Sequence, residues 1–213
     1  VVIVGGGPAG LSTACKLKQL NSDISVCLLE KGSEIGSHII SGAIFEPDAL
    51  YDLFPEESKN CPSLSNLVKR DEIYFLTTNS AYKVPSWITP KKLHNKGNYI
   101  ISLGEMCQWL AEKAMELGVD IFPGFSANKY ILNDQGHVCG IATADMGIDK
   151  QGNKKNTWAP GMDILAKQTI FAEGARGHLG KKLIKEFNLD EGKSPQHFAI
   201  GFKEVWEIES EKH

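Results

Sequence analysis

The residues best placed to do chemistry stand at the start of the chain, where Gly5, Gly7 and Gly10 follow the apolar residues 1–4 in the order Gly-x-Gly-x-x-Gly. After such a run the first glycine permits a tight turn. The second lets backbone amides approach a diphosphate, and the third lets a helix pack closely on the strand. Pro8 and Ala9 fall where that helix starts, and a helix N-terminus favours anionic charge. Glu30 closes a second apolar run about 20 residues further on, where a carboxylate accepts both hydroxyls of an adenosine ribose and repels a 2′-phosphate. The competing readings are a glycine turn kept for steric reasons and an ordinary exposed acid. The order strand, glycines, helix, strand, acid favours dinucleotide binding over both.

This opening motif does not separate NAD from FAD. A second site, Ala172-Glu173-Gly174-Ala175-Arg176-Gly177, again joins a strand end to a helix, and two strand ends converging on one ligand point to a long one such as FAD. No second strand-linked Gly-x-Gly-x-x-Gly occurs, so a built-in NAD(P)H domain has no support. Electrons would come from another protein, a diffusing nucleotide or a reduced substrate.

The elements that must position these residues follow from periodicity. Residues 1–4, 25–30, 119–122 and 168–172 read as buried strands. Leu11, Ala14, Leu17 and Leu20 mark one helix. Leu103, Met106, Leu110, Ala114 and Leu117 mark another that stops at Gly118, and a lysine-rich helix reaches about Phe187. A short helix is expected over 48–54 and a strand near 73–76. Residues 125–132 and 138–144 flank the turn Asn133-Asp134-Gln135-Gly136 as a hairpin, extended by 163–166 into a meander. The expected fold class is α/β: a Rossmann-like FAD-binding domain whose parallel sheet carries an antiparallel β-meander insertion, with part of a second α+β region. The expected organisation is a nucleotide-binding βαβ segment over 1–60 and a loop and strand segment over 61–100. The rest of the nucleotide domain spans 101–187 with the meander at 125–166, and 188–213 begins a second domain.

Composition narrows the function classes. A chain of 213 residues, 42% hydrophobic and 23% charged with a net charge of -3, is long enough for a substantial core and has no general attraction for nucleic acid. Cys15, Cys27, Cys61, Cys107 and Cys139 form no Cys-x-x-Cys pair, which argues against a zinc site, a dithiol centre or a disulfide framework. No stretch approaches the roughly 18 apolar residues of a membrane span. Because the chain opens within a strand and without methionine, the natural N-terminus and its targeting information are expected to be missing.

The segment 82–96 places Trp87, Ile88 and Leu93 beside four lysines in a proline-rich loop. That composition suits a membrane interface, where the ring and aliphatic groups dip and the amines stay wet. The competing arrangement tucks Trp87 into the domain, and the residues alone lean towards it.

Motifs along nearly the whole chain carry a family resemblance: VVIVGGGPAGLSTACKLKQL at 1–20, VCLLEKGSEIG at 26–36, Ser41-Gly42-Ala43, Gly97-Asn98-Tyr99-Ile100 and ELGVDIFPG at 116–124. GIATADMGIDKQG at 140–152, TIFAEGARGH at 169–178 and GFKEVW at 201–206 continue it, the first and last of these being the more specific. The sequence resembles the electron-transfer flavoprotein:ubiquinone oxidoreductase family, among the glutathione-reductase-type flavoproteins. The resemblance implies an FAD enzyme that takes electrons from reduced electron-transfer flavoprotein and passes them to ubiquinone. It implies a peripheral protein of the matrix side of the mitochondrial inner membrane, or of the cytoplasmic membrane in a bacterium.

Carried over by position, Gly5, Gly7, Pro8, Ala9 and Gly10 would meet the pyrophosphate and Glu30 the ribose, with Lys31 and Gly36 close by. Ser41, Gly42 and Ala43 would lie near the flavin, Ala127 near the adenine, and Ala172, Glu173 and Gly174 at the pyrophosphate end. Ser102 would also face the cofactor, standing where relatives often carry arginine. Trp87, Ile88 and Leu93 would dock on the membrane, with Lys91 and Lys92 making insertion shallow and dependent on anionic lipid. No catalytic side chain is expected. The resemblance makes 188–213 the start of the quinone-side domain and puts most of the quinone pocket, a later flavin-binding motif and the cysteines of a 4Fe-4S cluster beyond His213. Two other readings use the same motifs: an FAD-dependent prenyl reductase or monooxygenase, and a non-catalytic module kept for assembly in a membrane complex.

Overall fold

In the computed structural model, residues 1–40 and 42–198, with Glu204 and Glu207, are described. Strand β1 (Val2–Val4) leads through the glycine turn into helix α1 (Pro8–Leu20), and β2 (Cys27–Glu30) returns beside it. The chain then leaves the sheet through β3 (Ala43–Phe45), α2 (Asp48–Leu53) and the hairpin of β4 (Ile73–Leu76) and β5 (Ala81–Val84). It comes back through β6 (Tyr99–Ile101), helix α3 (Leu103–Glu116) and β7 (Asp120–Pro123). Strands β8 (Ala127–Leu132) and β9 (Val138–Thr143) follow, then a ribbon of β10 (Met146–Ile148) and β11 (Lys154–Ala159). Strand β12 (Asp163–Leu165) precedes β13 (Thr169–Phe171) and helix α4 (His178–Glu186).

Strands β13, β1, β2 and β7 form one parallel sheet in that order. The central strands β1 and β2 read as apolar runs because both of their faces are covered. Ile3 and Leu28 pack with Leu11, Ala14, Met106, Cys107 and Leu110 of α1 and α3, whereas Val2, Val4 and Leu29 pack with Ala127, Ile141 and Leu179 on the other side. Alternate residues of β1 therefore serve two cores. The second is built by the meander β8-β9-β12 together with α4.

The expected strands and helices of the sheet are present, with one departure on α1. Leu20 is exposed instead of completing the apolar stripe, because the helix ends there and, of that stripe, only Leu11 and Ala14 are fully buried. Ser102 caps α3, accepting the Glu105 N–H at 3.4 Å, and Gly118 ends that helix with a φ of 86°. The 133–136 turn is held by the Asn133 side chain, which accepts the N–H groups of Gln135 and His137.

The sequence reading missed several pairings. Residues 82–84, assigned to a loop, are strand β5; β3 pairs with β6; and the segment GIATADMGIDKQG folds into the end of β9 and the β10-β11 ribbon. That ribbon turns at Asp149, whose carboxylate accepts the N–H groups of Gln151 and Asn153 at 2.9 and 2.8 Å. Most of the 188–213 segment, including GFKEVW, lies outside the described residues.

Candidate functional site

The carboxyl ends of β13, β1 and β2 lie side by side, the place where open α/β sheets bind ligands. A cavity of about 700 Å³ opens there, walled by the glycine turn, the ends of β2 and β13, and residues 125–127 before and within β8.

The three glycines separate by what surrounds them. Gly5 has a φ of 112° and sits against the carbonyl of Ala172, so the turn and the end of β13 are packed without room for a side chain. A Cβ on Gly10 would strike the Gly5 carbonyl oxygen and come within 3.3 Å of the Ile3 side chain. Around Gly7 there is nothing within 4 Å of that position, and Gly7 is also the residue before α1, with no side-chain cap on the helix. The second glycine is thus the one that leaves open space over a helix N-terminus whose first amides need an acceptor. A diphosphate fits that space and charge.

Glu30 sits at the end of β2 with only 14% of its side chain exposed, and its His38 neighbour brings Nδ1 to 3.9 Å. One carboxylate oxygen accepts the Gly6 N–H at 2.8 Å and the other accepts the Gly32 N–H at 2.7 Å. It therefore braces the glycine turn as well as facing the cavity. A carboxylate has about four acceptor positions, so hydroxyl donors remain accommodable.

Glu173 repeats this arrangement at the end of β13. Its carboxylate accepts Leu179 N–H at 3.2 Å and Gly180 N–H at 2.7 Å, capping α4, with His178 Nδ1 at 3.8 Å. Gly177 is required beside it, because a Cβ there would come within 2.8 Å of a carboxylate oxygen of Glu173. Glu173 therefore lines the cavity while its charge is committed to α4.

Of the residues expected at the cofactor, Gly5, Gly7, Pro8, Ala9, Glu30, Lys31, Gly36, Ala127, Ala172, Glu173 and Gly174 line this one cavity. Gly10 lies beneath it and holds α1 on the turn. Gly42, Ala43 and Ser102 are not on its wall: Ala43 begins β3 and packs on the α1-α3 core, and Ser102 caps α3 while Leu103 reaches the wall. Ser41 lies outside the described residues. Sequence reasoning overlooked Gly6, His38, Arg176 and His178 among the lining groups. Arg176 stood within the second glycine site and His178 directly after it, where polar residues after a strand-end glycine were the available signal.

Cys15, Cys61 and Cys107 are packing residues of the α1-α3 core. Burial pushes the Cys15 thiol up to about 12 and the Cys107 thiol up to about 11, with the nearby Glu30 charge adding to the second. Cys61 is also buried and shifted upward.

The loop after β5 is displayed, not tucked. Trp87 is 83% exposed, with Ile88 and Leu93 more than half exposed, which overturns the folded-over arrangement. Its tip holds itself together: Thr89 donates to the Ser86 carbonyl at 2.7 Å, the His94 ring meets Thr89 Oγ1 at 2.8 Å, and Asp71 accepts the Asn95 N–H at 2.7 Å. At its base Glu72 pairs with Arg70 and Lys83. Among the described residues no helix is long and apolar enough to cross a membrane.

Residues 3–56 match the family model for an NAD(P)-binding Rossmann-like domain. All of the chain aligns with the electron transfer flavoprotein-ubiquinone oxidoreductase of Pseudomonas aeruginosa at 53% identity, covering 40% of that protein. The chain is a relative of the electron transfer flavoprotein-ubiquinone oxidoreductases. It is 50% identical to the mitochondrial protein of Dictyostelium discoideum over 35% of that protein's length, and 46% identical to the human one over 34%, with 98% of this chain aligned. Against these relatives the chain spans two-fifths of their length or less. Among solved structures, a geranylgeranyl bacteriochlorophyll reductase-like protein of Thermoplasma acidophilum superposes with a TM-score of 0.56 at 24% identity, covering 80% of this chain and 38% of that one. A flavin-dependent brominase superposes equally well at 16% identity, with 87% and 39% covered. At such identities the likeness is one of fold.

Proposed function

We propose that this chain forms the FAD-holding part of an enzyme that takes electrons from reduced electron-transfer flavoprotein and delivers them to ubiquinone. The observation that carries the reading is the cavity over three parallel strand ends, in which the open space at Gly7 lies over the α1 N-terminus and Glu30 lines the wall. The names of the relatives supply the donor and acceptor.

A bound flavin supplies the ability to accept two electrons together and release them singly. The protein's own residues hold and orient. The α1 N-terminus and the glycine-turn amides would take the diphosphate, Glu30 the adenosine ribose, and residues 125–127 the adenine side. Burial of the sheet on both faces keeps that frame stiff, and no side chain here is assigned a proton to move.

The exposed Trp87, Ile88 and Leu93, with Lys91, Lys92 and Lys96 around them, suit a peripheral seat on an anionic membrane surface. We place that membrane as the inner mitochondrial one, matrix side, or the bacterial cytoplasmic membrane. The 4Fe-4S cluster and quinone pocket belong, in this proposal, to the length of the relatives that the chain does not cover. The domain division given above, with a second domain starting near 188, is part of the same proposal.

The test is to purify the complete natural polypeptide with FAD and mix it with reduced electron-transfer flavoprotein, then with a short-chain quinone. Flavin bleaching followed by reoxidation supports the function. A protein that carries FAD yet undergoes neither step refutes it, and bleaching by NAD(P)H alone would transfer the assignment to a reductase or monooxygenase.

A further inference from the structure

We propose that Arg176 is a ligand of the cofactor's diphosphate, reaching it from the β13 side of the cavity opposite Lys31; the inference rests on the dinucleotide reading above. The two carboxylates on the cavity wall are spent on backbone, Glu30 on Gly6 and Gly32 and Glu173 on Leu179 and Gly180. The two permanent cations on the same wall, Lys31 and Arg176, make no ion pair among the described residues. Lys31 follows the end of β2 and Arg176 follows the end of β13, so they flank the Gly7 opening over β1. A dianion seated there meets one cation from each side.

Two further observations favour the arginine. Its guanidinium lies 5.2 Å from the ring centre of Phe198, a stacking contact that limits where the fork can point. Nothing lies within 4 Å of a Cβ on Gly174, so the approach between the end of β13 and Arg176 is open. A planar guanidinium offers paired donors that match phosphate oxygens, which an ammonium does not. Because Glu173 already accepts two amides of α4, those of Leu179 and Gly180, the permanent positive charge left for a ligand on this side is the Arg176 side chain.

The experiment uses the complete natural polypeptide stripped of flavin, and measures FAD, ADP and adenosine binding by equilibrium dialysis at low and high salt. R176Q is expected to weaken FAD and ADP about ten- to a hundredfold, as for loss of a charged hydrogen bond, and to flatten their salt dependence. Adenosine binding should stay unchanged. R176K should fall between wild type and R176Q, and F198L should weaken FAD less than R176Q does. Equal ADP affinity in wild type and R176Q overturns the proposal, as does an equal loss for adenosine, which would mark a general change of shape. A wild-type protein that binds ADP but not FAD refutes the FAD reading while leaving Arg176 tested by ADP. One that binds neither overturns both.

Discussion

The glycine end of the parallel sheet and the 70–96 hairpin form their surfaces in opposite ways. At the glycine end the groups offered to a ligand would be backbone amides, left reachable at Gly7, and the site would be only as good as the packing of Gly5 and Gly10 beneath it. On the hairpin nearly every residue of β4 and β5 faces solvent, and function would rest on side chains held out at Trp87, Ile88 and Leu93. One region would recognise by what has been removed, the other by what is displayed. A substitution at the first should therefore touch stability and binding together unless it falls on the one open position, and a substitution at the second should separate them.

The sharpest test compares two glycines. Gly10→Val should cost about 3 kcal/mol or more, because its side chain meets the Gly5 carbonyl and Ile3, and the melting temperature should fall by many degrees with loss of bound FAD. Gly7→Val should melt near wild type while losing FAD, as read by flavin absorbance after gel filtration. Similar melting of both variants would break the distinction.

Next in size, Trp87→Ser should leave the melting curve in place and weaken co-sedimentation with anionic vesicles at least tenfold, since an exposed ring loses about 1.5–3 kcal/mol of burial at the interface. A fall in stability without change in vesicle binding would show that the ring is part of a core after all.

A smaller effect concerns pH. Hydrogen bonds from Arg70, then Lys83 and Tyr74, hold the Glu72 carboxyl down to about 2, below its ordinary value. A depressed folded-state value means support that is present above about 4.5 and fades as pH falls towards 2. Amide exchange in 70–84 should quicken across that window, with Glu72→Gln showing the fast rates already at neutral pH. Because the pair is at the surface, global melting should hardly move.

The smallest expected response is none: Cys15 and Cys107 should ignore a thiol reagent at neutral pH until the protein unfolds, because burial holds both as thiols. Rapid labelling of either would contradict the packing between α1 and α3.

The parallel sheet was legible because β1 and β2 are buried on both faces and leave apolar runs, and Gly5 and Gly10 make close contacts that only glycine permits. Glu30 was legible by its distance from those glycines. Strands β3, β5, β6, β10 and β11 were not, because they form two-stranded pairs with exposed faces, where neither alternation nor a continuous run marks them. The committed state of Glu173 was hidden for a different reason. Its partners are amides of its own next helix, and a carboxylate near a glycine looks the same in sequence whether it faces a ligand or a helix end. Ser102 illustrates the same ambiguity from the other side, a polar residue before a helix that serves as its cap.

The register of β1 has a consequence for synthesis. Val2 pairs with Thr169 and Val4 with Phe171, so β1 is flanked on one side by a strand that leaves the ribosome long after it. Such distant pairing is slow to form. Until β13 arrives, the Gly5 turn lacks the Ala172 carbonyl it rests against, and the apolar edge of β1 stays open to wrong partners. The glycine turn therefore completes its packing only after β13 has been made, and a chaperone that shields residues 1–30 should raise the yield of folded protein more than one acting on the hairpin.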